Sequence, residues 1–193
     1  MEPIRVGPDA QTLRLLKTNA WSNAVCILLL IAINAVNFLR AGGSLGSEAS
    51  DGMQWGGGLS PVIVLALSAV LSAYLAILAV QANRTRLRLT HVFLSVEGQR
   101  VRGVSLGNPM ESDADYPNGR PFDISLGEIA RLSVEALHVT KQQTVPCLVI
   151  RTEGDTLRVP ALADTEGVCA ALSERMRRND REENVFDDGK QQG

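Results

Sequence analysis

The sequence predicts an α+β membrane protein: a hairpin of two transmembrane helices, then a small antiparallel β domain closed by a C-terminal helix. Three observations predict it. Residues 21 to 81 carry only Arg40, Glu48 and Asp51 as charged side chains. Beyond residue 84 the apolar residues come in short runs separated by turn residues, which is the pattern of strands. From Asp164 onward the apolar residues return to helical spacing, before a strongly charged tail.

The bulk composition hides this asymmetry. The 193 residues are 45% hydrophobic, 21% charged and 4% aromatic, with a formal net charge of −2. A near-neutral balance argues against nucleic acid as a partner, because general nucleic-acid binders carry a basic excess. Three cysteines, one of them in an apolar helix, do not make a disulfide-rich secreted scaffold.

A polar N-terminal segment, residues 1 to 20, leads into the first span, residues 21 to 39 (WSNAVCILLLIAINAVNFL). The second span covers residues 60 to 81, and each is about the 20 residues a bilayer core requires. A cleaved signal peptide is the competing reading of the first span, but its apolar run starts late and no clear small-residue cleavage site follows. Arg5, Arg14 and Lys17 precede the first span, and Arg84, Arg86 and Arg88 follow the second. Both termini are therefore expected in the cytoplasm of a multi-pass cell-membrane protein, with the Gly/Ser-rich loop 40 to 59 outside. Trp21 and Trp55 suit the interface, and Pro61 suits a first helical turn. The run Gly56-Gly57-Gly58 lacks the flanking strand and Lys-Ser/Thr of a phosphate loop.

Asn23, Asn34 and Asn37 fall with Ile27 and Leu30 on one face of the first helix. Ser68, Ser72 and Ala76 form a small-residue face on the second. The expected role of both is helix packing, within the hairpin or between copies. A polar transport path is disfavoured, because neither face carries an ionisable residue.

The polar domain, residues 85 to 178, is expected to hold strands near 86 to 97, 100 to 106, 122 to 126, 130 to 137, 147 to 152 and 156 to 160. Gly98-Gln99 and Glu153-Gly154-Asp155 supply turns, and a polar insertion occupies 107 to 121. Asp164-Thr165-Glu166 reads as a helix start, with Val168, Leu172 and Met176 on one face. The tail, residues 179 to 193, lacks periodicity and is expected to be disordered.

The runs LTHVFLSVEGQRVRG, PFDISLGEIARLSV and LVIRTEGDTLRVPAL, followed by the helix from Asp164, resemble the bacterial pleckstrin-homology-like (PH-like) domains found behind a pair of membrane helices. Phe122, Ile124, Leu126 and Ile129 match that family's central strand, turn and strand. The resemblance covers about half the chain and departs from the family at the insertion 107 to 121. It implies a PH-like fold on a membrane anchor.

No catalytic constellation is legible. His91 and His138 are the only histidines, and CxxC, HExxH and Walker motifs are missing. His91 is expected on a strand and His138 in a turn, as ordinary surface or structural side chains. Cys147 and Cys169 read as small buried hydrophobes. Glu111, Asp113, Asp115 and Asn118-Gly119 place oxygen ligands close together, but a count from Asp113 puts Pro117 at position five and Ile124 at position twelve, so a calcium loop fails. No enzyme, metal or cofactor is expected. Arg84, Arg86 and Arg88 alternate, so on a strand they would share one face under the membrane, and Arg100 and Arg102 would extend it.

From these residues the expected function is a non-enzymatic interaction module, anchored in the bilayer and offering its domain to a protein partner or to itself. The alternatives are an anionic-lipid reader using the five arginines, and an accessory subunit of a larger membrane complex.

Overall fold

The computed structural model describes residues 3–40, 61–107, 115–140 and 143–190; side chains of 37–40, 61–62 and 180–190 lie outside the description. The order of elements is β1 (Ile4–Val6), α1 (Ala10–Arg40), α2 (Pro61–Leu89), β2 (Leu94–Glu97), β3 (Arg100–Ser105), β4 (Arg120–Ser125), a 3-10 turn (Leu126–Glu128), β5 (Ile129–His138), β6 (Thr144–Thr152), β7 (Thr156–Pro160) and α3 (Thr165–Lys190). The chain is α+β, with two long apolar helices, two antiparallel sheets and a C-terminal helix.

It divides into two compact units. One is residues 17–83, the other residues 1–16 together with 84–193. The N-terminal segment thus belongs to the polar domain, where the sequence reading kept it apart. β1 pairs antiparallel with β2, Val6 opposite Leu94 and Ile4 opposite Val96. Past β1, the amide of Asp9 donates to the Ala161 carbonyl at 2.7 Å, and the amide of Ala163 donates to Gly7 at 3.1 Å. Asp9 then caps α1: its carboxylate accepts from the amides of Gln11 (3.1 Å) and Thr12 (2.9 Å) and from the Thr12 hydroxyl (2.6 Å). The two amides are orphans of the first helical turn, so the cap lets α1 start at Ala10, well before residue 21.

The second helix also outruns expectation. Residues 86–89 alternate as Arg-Leu-Arg-Leu, the pattern expected of a strand, yet no Gly or Pro interrupts the chain between Pro61 and Leu89, and the helix continues through them. It stops where Thr90, His91 and Val92 donate to the carbonyls of Arg86, Arg88 and Leu89, and β2 starts only at Leu94. His91 accordingly lies in a turn.

The first sheet has the order β1-β2-β3-β4 and the second β5-β6-β7. Gly98, at φ 60°, makes the tight β2–β3 hairpin that the Gly98-Gln99 pair predicts. The end of β3 meets β7: the Leu106 amide donates to the Arg158 carbonyl at 2.8 Å, and the Arg158 amide donates to the Ser105 hydroxyl at 2.9 Å. Ser105 is buried, and that bond satisfies it.

Alternating residues point inward: Leu94, Val96, Val101, Leu148, Ile150 and Val159 are fully buried, and Leu157 nearly so. Each such side chain contributes about 1.5–3 kcal/mol. α3 packs on β5, β6 and the 3-10 turn, inserting Val168 and Leu172, with Met176 beside them. Its start is as expected, the Gly167 amide donating to Asp164 at 2.9 Å. Its end is not: the helix runs to Lys190, through residues expected to be disordered. Leu16 of α1 and Leu89 of α2 are fully buried in the same core, so both helices reach into it with their terminal turns.

Candidate functional site

In the helical unit, the half-buried residues of α1 are Ala20, Asn23, Ala24, Ile27, Leu30 and Asn34, a seam at spacings of three and four. Those of α2 include Val64, Ser68, Ser72, Leu75 and Ala79. Asn34 donates its amide to the Leu30 carbonyl at 2.8 Å, and its Oδ1 accepts from the Ser68 hydroxyl at 3.4 Å. Ser68 also donates to the Val64 carbonyl at 2.8 Å. The Asn stripe and the small-residue face therefore meet. Ala76 is exposed, with Leu75 and Ala79 continuing the seam in its place, because the seam advances by mixed steps of three and four rather than by fours alone. The Asn37 side chain lies outside the described residues. Elsewhere the helices expose large apolar side chains, among them Trp21 at 72%, Leu28 at 65% and Val70 at 69%. Both are long and apolar enough to cross a membrane.

The arginines do not form the single-faced patch that the strand reading implied. On a helix, Arg84 and Arg88 share a side while Arg86 is turned away by roughly 200°. Arg84 is exposed and Arg86 half-buried. Arg88 donates Nε to the Pro117 carbonyl at 3.0 Å, tying α2 to the described end of the insertion. Arg100 and Arg102 do share the outer face of β3, but Asp123, directly across from Arg102 on β4, takes both, at 3.3 Å and 3.0 Å. On the same face Arg5 binds Glu97 at 2.7 Å. Its hydrogen bond and charge hold the Glu97 carboxyl below the ordinary carboxylate value, Arg102 adding a weaker pull. Those arginines are thus shared with acids across the strands. Sequence reasoning missed the acids, because Asp123 and Glu97 become neighbours of the arginines only once the register is set.

Arg120 on β4 binds Asp155, in the β6–β7 turn, at 2.8 Å. Below that turn lies a cleft of about 420 Å³ lined by Gly127, Glu128, Ala130, Thr152, Glu153 and Gly154. Glu128 and Glu153 are exposed, and neither histidine lines the cleft. His138 ends β5, not a turn, where its Nδ1 sits 3.1 Å from the Thr144 hydroxyl. Cys147 is buried in β6, and burial pushes its thiol up to about 12, so it stays protonated and unreactive. Cys169 packs against the core from α3. Among the described residues no three His, Cys, Asp or Glu side chains gather as metal ligands. Glu111 and Asp113 lie outside the described residues.

The second sheet has one unusual feature. Arg131 on β5 stands directly opposite Arg151 on β6, a like-charge pair. Glu135 answers Arg151 at 3.3 Å, whereas the Arg131 guanidinium makes no ion pair or hydrogen bond among the described residues.

Compared with protein-family models, with curated proteins and with solved structures, the chain matches none of them.

Proposed function

We propose that the chain is a membrane-anchored, non-enzymatic interaction module, whose two helices hold a PH-like domain against the inner face of the cell membrane for a protein partner or a second copy. The observation that carries this reading is the pairing of β1 with β2. β1 precedes α1 and β2 follows α2, so the segment leaving the domain and the segment returning to it are neighbours in one sheet. A chain that crosses a bilayer twice must come back to the side it left, which is what that pairing requires. The arginines flanking the two helices support the cytoplasm as that side. Antiparallel strands followed by a C-terminal helix, the arrangement expected from the PH-like resemblance, also support this reading.

Carbonate extraction of membranes from expressing cells tests the anchor. The full chain stays in the pellet and is released by detergent; release by carbonate alone rejects the reading.

Anionic lipid is the second reading, and Arg84 and Arg88 favour it, since both extend from one side of the last turns of α2. Arg100 and Arg102, shared with Asp123, contribute less to it. Flotation of the detergent-purified full chain with neutral and anionic vesicles at two salt concentrations separates the readings. Salt-sensitive anionic preference, lost on Arg84→Gln and Arg88→Gln, would establish lipid recognition.

A further inference from the structure

We propose that β5 is a homodimerisation edge, to which a second copy adds its own β5 in an antiparallel register centred on Ser133. This deepens the interaction-module reading and rests on it, by naming the partner as the same chain.

β5 is ten residues long and pairs on one side with β6. Among the described residues, no backbone hydrogen bond crosses its other side. The remaining sheet edges are poorer templates: β1 has three residues, β4 carries Pro121, and β7 is tied to the end of β3. A bulge lies between Ile129 and Arg131, but from Arg131 to His138 the ladder is regular. Long regular edges are normally blunted, because their open N–H and C=O groups recruit another strand.

The sequence of β5 specifies which strand that is. Antiparallel partners must keep their faces, so a two-fold pairing centres on a residue. Centred on Arg131 it sets Arg against Arg, and centred on Glu135 it sets Glu against Glu. Centred on Ser133 it sets Arg131 against Glu135 of the second copy, twice, by symmetry. On the other face it sets Leu132, half-buried, against Val134 of the second copy, 38% exposed. Arg131, facing Arg151 within its own chain, acquires the acid that this sheet denies it. Tethering in one membrane raises the effective concentration of copies, so a short edge pairing suffices.

The test is oxidative crosslinking of full-length Ser133→Cys in membranes, with the unaltered chain beside it to report any contribution of Cys26, Cys147 and Cys169. The expected result is a disulfide-linked dimer. Added to that background, Arg131→Glu or Glu135→Arg alone weakens dimerisation by about tenfold or more, since each sets like charges opposite. Mixing the two single variants restores a mixed dimer, and the double variant Arg131→Glu/Glu135→Arg restores its own. No crosslink at Ser133→Cys, or crosslinking indifferent to the charge reversals, overturns the proposal. So does failure of both rescues in variants that keep the parental circular dichroism. Carbonate extraction reads the anchor independently, so loss of the dimer in a chain that stays in the pellet counts against the β5 edge alone.

Discussion

The guanidinium of Arg5 lies 2.7 Å from the carboxylate of Glu97, ninety-two positions further along the chain. Between those residues run both apolar helices. The contact fastens the strand before the hairpin to the strand after it, with the backbone ladder from Ile4 to Val6 beneath.

The attachment of β1 is acid-sensitive. Asp9 lies below its ordinary 3.8, chiefly through the hydrogen bond from Thr12, and Glu97 below its ordinary 4.5, chiefly through that from Arg5. A depressed folded value stabilises above the unfolded value, and the gain is lost as pH falls through the folded one. Asp9→Ala also removes the α1 cap and costs about 1 kcal/mol at neutral pH. Thermal unfolding of full-length wild type and Asp9→Ala should show that gap at pH 7 and a narrower gap near pH ~3. An equal gap at both would show that the carboxylate charge contributes nothing.

Gly103 is a packing requirement of β3. A Cβ there would lie 2.6 Å from the Phe93 carbonyl and 2.8 Å from Cζ of Phe122. Gly103→Ala is expected to cost about 1–3 kcal/mol. Gly154→Ala, where a Cβ meets nothing within 4 Å, should stay within about 0.5 kcal/mol of wild type. Chemical denaturation of both variants checks the contrast.

Asn34→Leu removes both the bond to the Leu30 carbonyl and the acceptor of Ser68. Interhelical bonds of this kind contribute about 0.6–2 kcal/mol in a membrane. An SDS titration of helicity in mixed micelles should show earlier unfolding for Asn34→Leu, and a smaller change for Ser68→Ala, which keeps the Asn34 bond to Leu30. Identical midpoints for all three chains would remove Asn34 from the packing seam.

Cys147, with its thiol pushed up to about 12, should resist maleimide at pH ~8 in the folded chain and react once the chain is denatured. Peptide mass spectrometry reads the site directly. Rapid labelling of the folded chain would mean that β6 opens easily.

Much of the architecture was legible because it rests on periodicity. The two long apolar helices, the hairpin at Gly98, the strand Thr156–Pro160 and the helix start at Asp164 each have a local cause: an uncharged run, a left-handed turn, alternation, a cap. What escaped depends on distant partners. Ile4–Val6 is too short to read as a strand, and it becomes one because β2 lies beside it. Arg86-Leu87-Arg88-Leu89 alternates like a strand, yet the helix already under way propagates through it, since each added residue gains a bond without a new nucleus. The basic patch failed for the same reason. Side chains two residues apart share a face on a strand but point to opposite sides of a helix, and the acids that engage Arg100 and Arg5 arrive from other strands. Asn34 and Ser68 could be found from the sequence because each lies on a helix face whose spacing is self-evident.

The central claim is most directly tested by side-specific labelling. Cysteine probes at Pro3, Ser47 and Gly154, placed singly in a chain lacking its native cysteines, are exposed to a membrane-impermeant maleimide on intact cells and after lysis. The account predicts labelling of the Ser47→Cys probe in intact cells, and of the Pro3→Cys and Gly154→Cys probes only after lysis. Probes at Pro3 and Gly154 that report opposite sides of the membrane would contradict it, because β1 and the domain it joins would then be separated by the bilayer.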